Sequence, residues 1–185
     1  MNKTKRLFFA VNLPAEYKRE IAETFFPMIA KDKWRIVLPE NLHVTLLFLG
    51  HIAGERIAKL QEQAMQLREF EAFEAEVNCV GHFDGRVLWL GIGKGNEELN
   101  LLSRKLQQAI NVSDERFHAH VTIARNRGAK RQKAQQLVEE MRQKIRPKKI
   151  MVKNFELMES LLHKAGPEYK VVFSIPLAEV TAGLG

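Results

Sequence analysis

Cysteine is nearly absent: Cys79 is the only one in 185 residues. No intrachain disulfide can form, and no paired-cysteine metal spacing exists. That suits a reducing compartment, so a cytoplasmic protein is expected. Long apolar runs are missing as well. The run Leu7–Val11 is too short for a signal-peptide core. Nothing approaches the ~20 consecutive apolar residues of a membrane helix, so no membrane partner is expected. No stretch rich in proline, glycine and serine divides the chain, which predicts one domain over residues 1–185.

What is present suits a folded, basic protein. The apolar fraction of 45% is enough to build a core and excludes general disorder. The net charge of +7 favours an anionic partner, with nucleic acid the first candidate. The excess is concentrated. Ten Lys/Arg lie between Arg125 and Lys149 against only Glu139 and Glu140. Such a segment is either a solvated helix face or a phosphate-binding patch.

The apolar pattern says nearly the same thing twice. Leu7–Asn12 suits a buried strand, residues 15–30 a helix, Trp34–Val37 and Leu42–Leu49 strands, the second closed by Gly50. A helix with the stripe Ile57, Leu60, Ala64 and Leu67 follows, then a strand at Ala75–Val80. The second half begins with a strand at Val87–Ile92, then a helix that Asn96 can cap, with the stripe Leu99, Leu102, Leu106 and Ile110. His118–Ala124 is the next strand. A helix carrying Ala134, Leu137, Met141 and Ile145 leads to a strand at Ile150–Leu157, and Tyr169–Ile175 adds a last one within the segment 169–177. The expected fold is α+β and bilobal: a pseudo-two-fold repeat of strand-helix-strand-helix-strand units, with halves at roughly 1–80 and 84–160. Two antiparallel sheets would flank a central cleft, with helices outside.

The repeat duplicates His43-Val44-Thr45-Leu46 as His120-Val121-Thr122-Ile123. Alternate side chains of a strand share a face. Each copy therefore presents an imidazole and a hydroxyl together, with apolar neighbours turned to the core. Two imidazoles with ordinary pKa values near ~6.5 can act at neutral pH as one base and one acid. Two threonine hydroxyls can donate to non-bridging phosphate oxygens. That set suits in-line displacement at phosphorus and requires no metal.

The motifs His43-x-Thr-x-x-Phe48 and His120-x-Thr-x-x-Arg125 resemble the paired signatures of the two-histidine (2H) phosphoesterases. Within them the chain is most similar to the RNA 2′,3′-cyclic phosphodiesterases, once called 2′-5′ RNA ligases. The resemblance runs nearly end to end, through Arg6-Leu7-Phe8-Phe9-Ala10-Val11, Leu42 to Gly50, Val87-Leu88-Trp89-Leu90-Gly91 and Phe117 to Arg125. One departure is Ala119, where members often carry proline. The resemblance implies hydrolysis of a terminal 2′,3′-cyclic phosphate of RNA to a 2′-phosphate; a monomer without cofactors is expected. It implies that His43 is the general acid at O3′ and His120 the general base on water. Arg125 would clamp the phosphate with Thr45 and Thr122, and Phe48 would stack on the terminal base. A guanidinium suits phosphate, and a phenyl ring offers sequence-tolerant stacking. Both residues nevertheless lie five positions after their histidine, on the opposite parity of a regular strand.

Other readings stay open. The same chemistry could serve small cyclic nucleotides or 2′,5′-linked RNA, and the basic segment alone would suit a non-catalytic RNA-binding module. His118 and His120 could be half of a metal site, but no carboxylate or cysteine nearby completes it. His51, His82 and His163 have no partner pattern. Gly91–Gly95 lacks phosphate-loop spacing and reads as a strand-end turn. Trp34 and Trp89 read as core, and Arg35 and Arg127 as residues at the cleft edge.

Overall fold

A computed structural model describes residues 4–31, 33–113, 117–163 and 166–179. In chain order the elements are β1 (Thr4–Asn12), α1 (Ala15–Phe25), β2 (Trp34–Ile36), β3 (His43–Ala53), α2 (Ile57–Met65), β4 (Phe73–Phe83), β5 (Val87–Ile92), α3 (Asn96–Ile110), β6 (His120–Asn126), α4 (Arg131–Arg142), β7 (Lys148–Val152), β8 (Asn154–His163) and β9 (Gly166–Pro176).

Several expected boundaries shift for local reasons. The helix expected over 15–30 stops at Phe25, and Phe26–Met28 forms a 3₁₀ turn. Pro27 explains the stop, because its ring cannot be accommodated in a continuing α-helix. Asn96 is not the cap of α3 but its first residue; Gly95 precedes it at φ +83°. A side chain at Gly95 would meet Ala75 Cα at 2.7 Å, so the helix start sits directly on β4. The strand expected over Ile150–Leu157 is two strands, β7 and β8, broken at Lys153.

The strands form one antiparallel nine-stranded sheet in the order β7-β4-β5-β6-β3-β1-β8-β9, with β2 paired to β6. This replaces the two separate sheets expected. The sheet narrows at its middle, where β3 and β6 meet through a single pair, Val44 and Val121. Nor are the halves of the chain the halves of the sheet. β4 leaves the first half to pair with β5 and β7, and β8 returns from the second to pair with β1 and β9.

One face of the sheet builds the core. Val44, Leu46 and Leu47 of β3 and Val121, Ile123 and Ala124 of β6 pack with the helical stripes of α3 (Leu99, Leu102, Leu106) and α4 (Ala134, Leu137, Met141). The opposite face carries His43, Thr45, His120 and Thr122, half-buried.

Two β-bulges correct the parity of the motifs. On β3, Thr45 pairs with Ala10 but Leu47 with Phe9, so Leu46 is an extra residue. On β6, Thr122 pairs with Trp89 but Ala124 with Leu88, so Ile123 is extra. A bulge shifts the alternation by one. Leu46-Leu47 and Ile123-Ala124 are therefore both buried, and Phe48 and Arg125 emerge on the histidine face. Each bulged carbonyl has a donor: Ser103 Oγ reaches Leu46 O at 2.7 Å, and Val37 N reaches Ile123 O at 2.9 Å.

Candidate active site

The histidine face encloses a cleft of about 610 Å³. His43, Thr45 and Phe48 line it from β3, and His120, Thr122 and Arg125 from β6. Every residue singled out by the paired motifs is thus brought to one cavity. Extending the Val44–Val121 register places His43 beside Thr122 and Thr45 beside His120.

The two rings are held alike. His43 Nδ1–H donates to Asn41 O at 2.6 Å, and His120 Nδ1–H donates to His118 O at 2.6 Å. In each case the acceptor is the carbonyl two residues back. With Nδ1 so engaged, the neutral ring keeps its lone pair on Nε2. His43 Nε2 accepts from the Thr45 hydroxyl at 2.9 Å. Asn41 is itself buried and donates its amide to Pro167 O at 2.7 Å, which ties the start of β9 to the His43 side of the cleft.

Burial and neighbouring charge make both rings harder to protonate than a free imidazole. Burial pushes His43 down to about 4, and the charges of Lys18, His120 and Arg125 add to it; the bond to Asn41 O works the other way. His120 is also lowered, first by burial and then by His118 and Arg125, against its bond to His118 O.

The cleft also holds residues without a motif. Arg6, Phe8, Asn41, Ser160, His163 and Tyr169 line it. Phe8 and Tyr169 lie 5.1 and 5.3 Å from the His43 ring, and Phe8 lies 5.9 Å from Phe48. Alternation along β1 could have pointed to Arg6 and Phe8, which face the cleft while Leu7 and Phe9 enter the core. Tyr169 comes from the β8–β9 hairpin, and no local pattern marks it.

Cationic side chains dominate. Arg6, Arg35 and Arg125 line the cleft, no carboxylate does, and none of the three has an ion pair among the described residues. Arg35 on β2 pairs directly with Arg125 on β6. Like charges in register repel, so an anion between them would relieve the arrangement. Arg127 is not among the cleft-lining residues. The basic stretch beyond it lies elsewhere: no residue from Lys130 to Lys149 lines the cleft. The apolar stripe of α4 faces the core, which puts that helix on the far side of the sheet. Arg131, Arg142, Lys148 and Lys149 instead pair with Asp84, Glu139, Glu20 and Glu74.

Trp34 is buried as expected, whereas Trp89 is half-buried on the His120 side of the sheet. His82 bonds Gln135 and His163 bonds Glu168. Among the described residues no group of three or more His, Cys, Asp or Glu is placed to hold a metal ion. No helix there is long and apolar enough to cross a membrane.

Comparison with known proteins agrees with this geometry. The family model of the 2′-5′ RNA ligase superfamily matches residues 29–164. An RNA 2′,3′-cyclic phosphodiesterase of Aeropyrum pernix is 30% identical over 175 residues, 89% of this chain and 94% of the relative. One of Escherichia coli is 34% identical over 135 residues, 68% of this chain and 74% of the relative. Among solved structures, E. coli LigT complexed with 3′-AMP superposes with a TM-score of 0.77 at 26% identity, covering 95% of this chain and 99% of that one. LigT complexed with phosphate does so with a TM-score of 0.76 at 26% identity and the same coverage. With the family model covering most of the sequence and the paired histidine motifs meeting in one cleft, the chain belongs to the 2′-5′ RNA ligase superfamily.

Proposed function

We propose that this protein hydrolyses the 2′,3′-cyclic phosphate at an RNA end to a 2′-phosphomonoester, with His43 as general acid and His120 as general base. The observation that carries the reading is the pair of imidazoles in one cleft, which no carboxylate lines among the described residues. Both have Nδ1 tied to backbone, which leaves Nε2 as the reactive nitrogen, engaged in His43 only by the Thr45 hydroxyl. The relatives' names supply the substrate class.

The steps follow from the groups present. His120 Nε2 removes a proton from water as its oxygen attacks phosphorus. The P–O3′ bond opposite it breaks, and protonated His43 delivers its Nε2 proton to O3′. While His43 is neutral it accepts the Thr45 hydroxyl proton. Once protonated it cannot, so Thr45 turns that proton to a non-bridging phosphate oxygen, as Thr122 does. Arg125 stabilises the charge that builds up on those oxygens. Phe48, 57% exposed although large and apolar, stacks on the terminal base. Assignment of acid to His43 and base to His120 follows the motif match.

The two histidine strands, each with a bulge after its threonine, support a duplicated unit with approximate two-fold symmetry. The protein is taken to act as one domain and as a monomer in the cytoplasm. Turnover of an oligonucleotide ending in a 2′,3′-cyclic phosphate, measured in excess EDTA, tests the function. A 2′-phosphate product is expected. Absence of turnover, or activity that chelation abolishes, would refute the mechanism.

A further inference from the structure

Among the charges that act on His43, one comes from outside the cleft. Lys18 stands on α1 and is not a lining residue. It is half-buried, and burial lowers its pKa against the pull of Glu156 and Glu40. Its ammonium nevertheless forms no ion pair among the described residues. It donates instead to two carbonyl oxygens, Glu40 O at 2.8 Å and Asn12 Oδ1 at 3.0 Å.

Both acceptors adjoin His43. Glu40 lies in the 3₁₀ turn Pro39–Asn41. The next residue, Asn41, supplies the carbonyl that holds His43 Nδ1–H at 2.6 Å. Asn12 ends β1 and pairs with His43 itself across β1 and β3. Its amide nitrogen donates to Glu156 of β8, which leaves Oδ1 turned to Lys18. Asn154 donates to the other oxygen of Glu156 at 3.3 Å. Lys18 thus closes a chain of bonds that runs from β8 through β1 to the turn before β3. A lysine placed for stability alone would sit on Glu156 directly. The amide between them aims the ammonium at the turn.

We propose that Lys18 is a positioning residue for His43: bonded to Glu40 O and Asn12, it fixes the turn whose Asn41 carbonyl sets the orientation and tautomer of the ring. The proposal rests on the reading of His43 as the acid. Its first consequence is geometric. With Nδ1–H held on Asn41 O, Nε2 is the atom that meets O3′, and a turn free to rock would swing it away. The second is electrostatic. His43 is faced by Lys18 from α1, by His120 and Arg125 from β6 and by Tyr169 from β9, with Glu156 of β8 behind Asn12 and Glu40 in the turn. The Lys18 charge disfavours imidazolium, which makes the protonated ring a stronger donor to O3′. On the other side of the cleft, the charges that act on His120 are those of His118 and Arg125. The ring with the added clamp is the one read as the acid.

Lys18→Met in the whole protein removes both bonds and the charge. With a 2′,3′-cyclic mononucleotide as probe, kcat should fall about tenfold and KM stay within about twofold, because Lys18 meets the acid and not the substrate. Loss of the charge alone would favour imidazolium, so a lower kcat reports lost geometry. NMR of isotope-labelled histidine gives a readout that needs no turnover. In the wild type the His43 Nδ1–H signal should be sharp and the neutral ring a single tautomer. In Lys18→Met the signal should broaden, the tautomers should mix, and the ring should titrate above about 4. Lys18→Arg keeps charge and donors and should restore both kcat and the signal. Asn12→Ala lets the ammonium move to Glu156; it should lower kcat in the same way, and it carries the test if Lys18→Met does not fold. An unchanged kcat in Lys18→Met or Asn12→Ala would overturn the proposal. So would a lower kcat with unaltered His43 signals, or a Lys18→Arg protein no better than Lys18→Met. A wild-type protein that leaves the cyclic probe intact would strike the hydrolytic reading, and the His43 signals would still decide whether Lys18 holds the ring.

Discussion

The histidine proposed as the acid sits where protons are unwelcome. Burial and the nearby charges of Lys18, His120 and Arg125 push His43 down to about 4, well below the ordinary ~6.5. His120 is lowered as well. At pH 7 the free protein therefore has two neutral rings and a base but no charged acid. An anionic phosphate between the rings reverses the balance, because a neighbouring negative charge favours imidazolium. Substrate binding should then take up a proton. Since kcat/KM reports the free protein, its bell-shaped pH profile should peak on the acid side of ~6.5. The maximum in kcat, which reports the complex, should lie at higher pH. A kcat/KM still rising above pH 7 would contradict this. His43→Ala and His120→Ala should each lower kcat by ~10²–10⁴, the usual effect of removing a positioned proton donor or acceptor, measured on folded protein. The same shift bears on stability. A histidine depressed in the folded state binds more protons when unfolded, so its contribution is present above ~6.5 and lost as pH falls toward 4. His43→Ala should therefore lose less Tm than the wild type between those pH values.

The motifs lie on elements whose identity was legible in the sequence and whose geometry was not. Alternation placed His43 with Thr45 and His120 with Thr122 correctly. Continued without a break, it would have turned Phe48 and Arg125 away. Leu46 and Ile123 undo that, each adding one residue against its neighbouring strand. The sign was in the sequence as doubled apolar residues, Leu46-Leu47 and Ile123-Ala124, which a regular half-buried strand would not carry. What holds the first bulge was out of reach. Ser103 sits 57 residues away, on a helix read only for its leucines, and its hydroxyl satisfies the Leu46 carbonyl inside the core. Ser103→Ala should leave that carbonyl without its donor, at about 1–3 kcal/mol. Chemical denaturation should show the loss. KM should rise more for a base-bearing substrate than kcat falls, since Phe48 follows the bulge. An unchanged stability would mean that the carbonyl finds another donor.

At the scale of the whole molecule, local pattern says least. The repeat in the sequence suggests two self-contained lobes, yet β4 and β8 cross between the halves of the sheet. Strand exchange leaves no periodicity of its own, because β4 and β8 both open with the alternating burial of any half-buried strand. Charge is misleading for a similar reason. The densest basic segment is the most visible one, but α4 turns its apolar stripe to the core on the side away from the cleft, and four of its neighbourhood's cations already face carboxylates. The positive field of the cleft comes instead from Arg6, Arg35 and Arg125, dispersed over three strands and unremarkable in sequence. These two sets should separate by salt. A cation that contacts phosphate releases a counterion on binding, and its loss lowers the slope of log affinity against log salt by roughly 0.7 for single-stranded RNA. Arg35→Gln should flatten the slope for a cyclic-phosphate-ended oligonucleotide by about that amount and weaken binding at low salt. Joint replacement of Lys130, Arg131 and Lys133 by glutamine should leave the slope unchanged. A flattened slope in the triple variant, with Arg35→Gln unaltered, would move the RNA path back onto α4 and away from the face that carries both histidines.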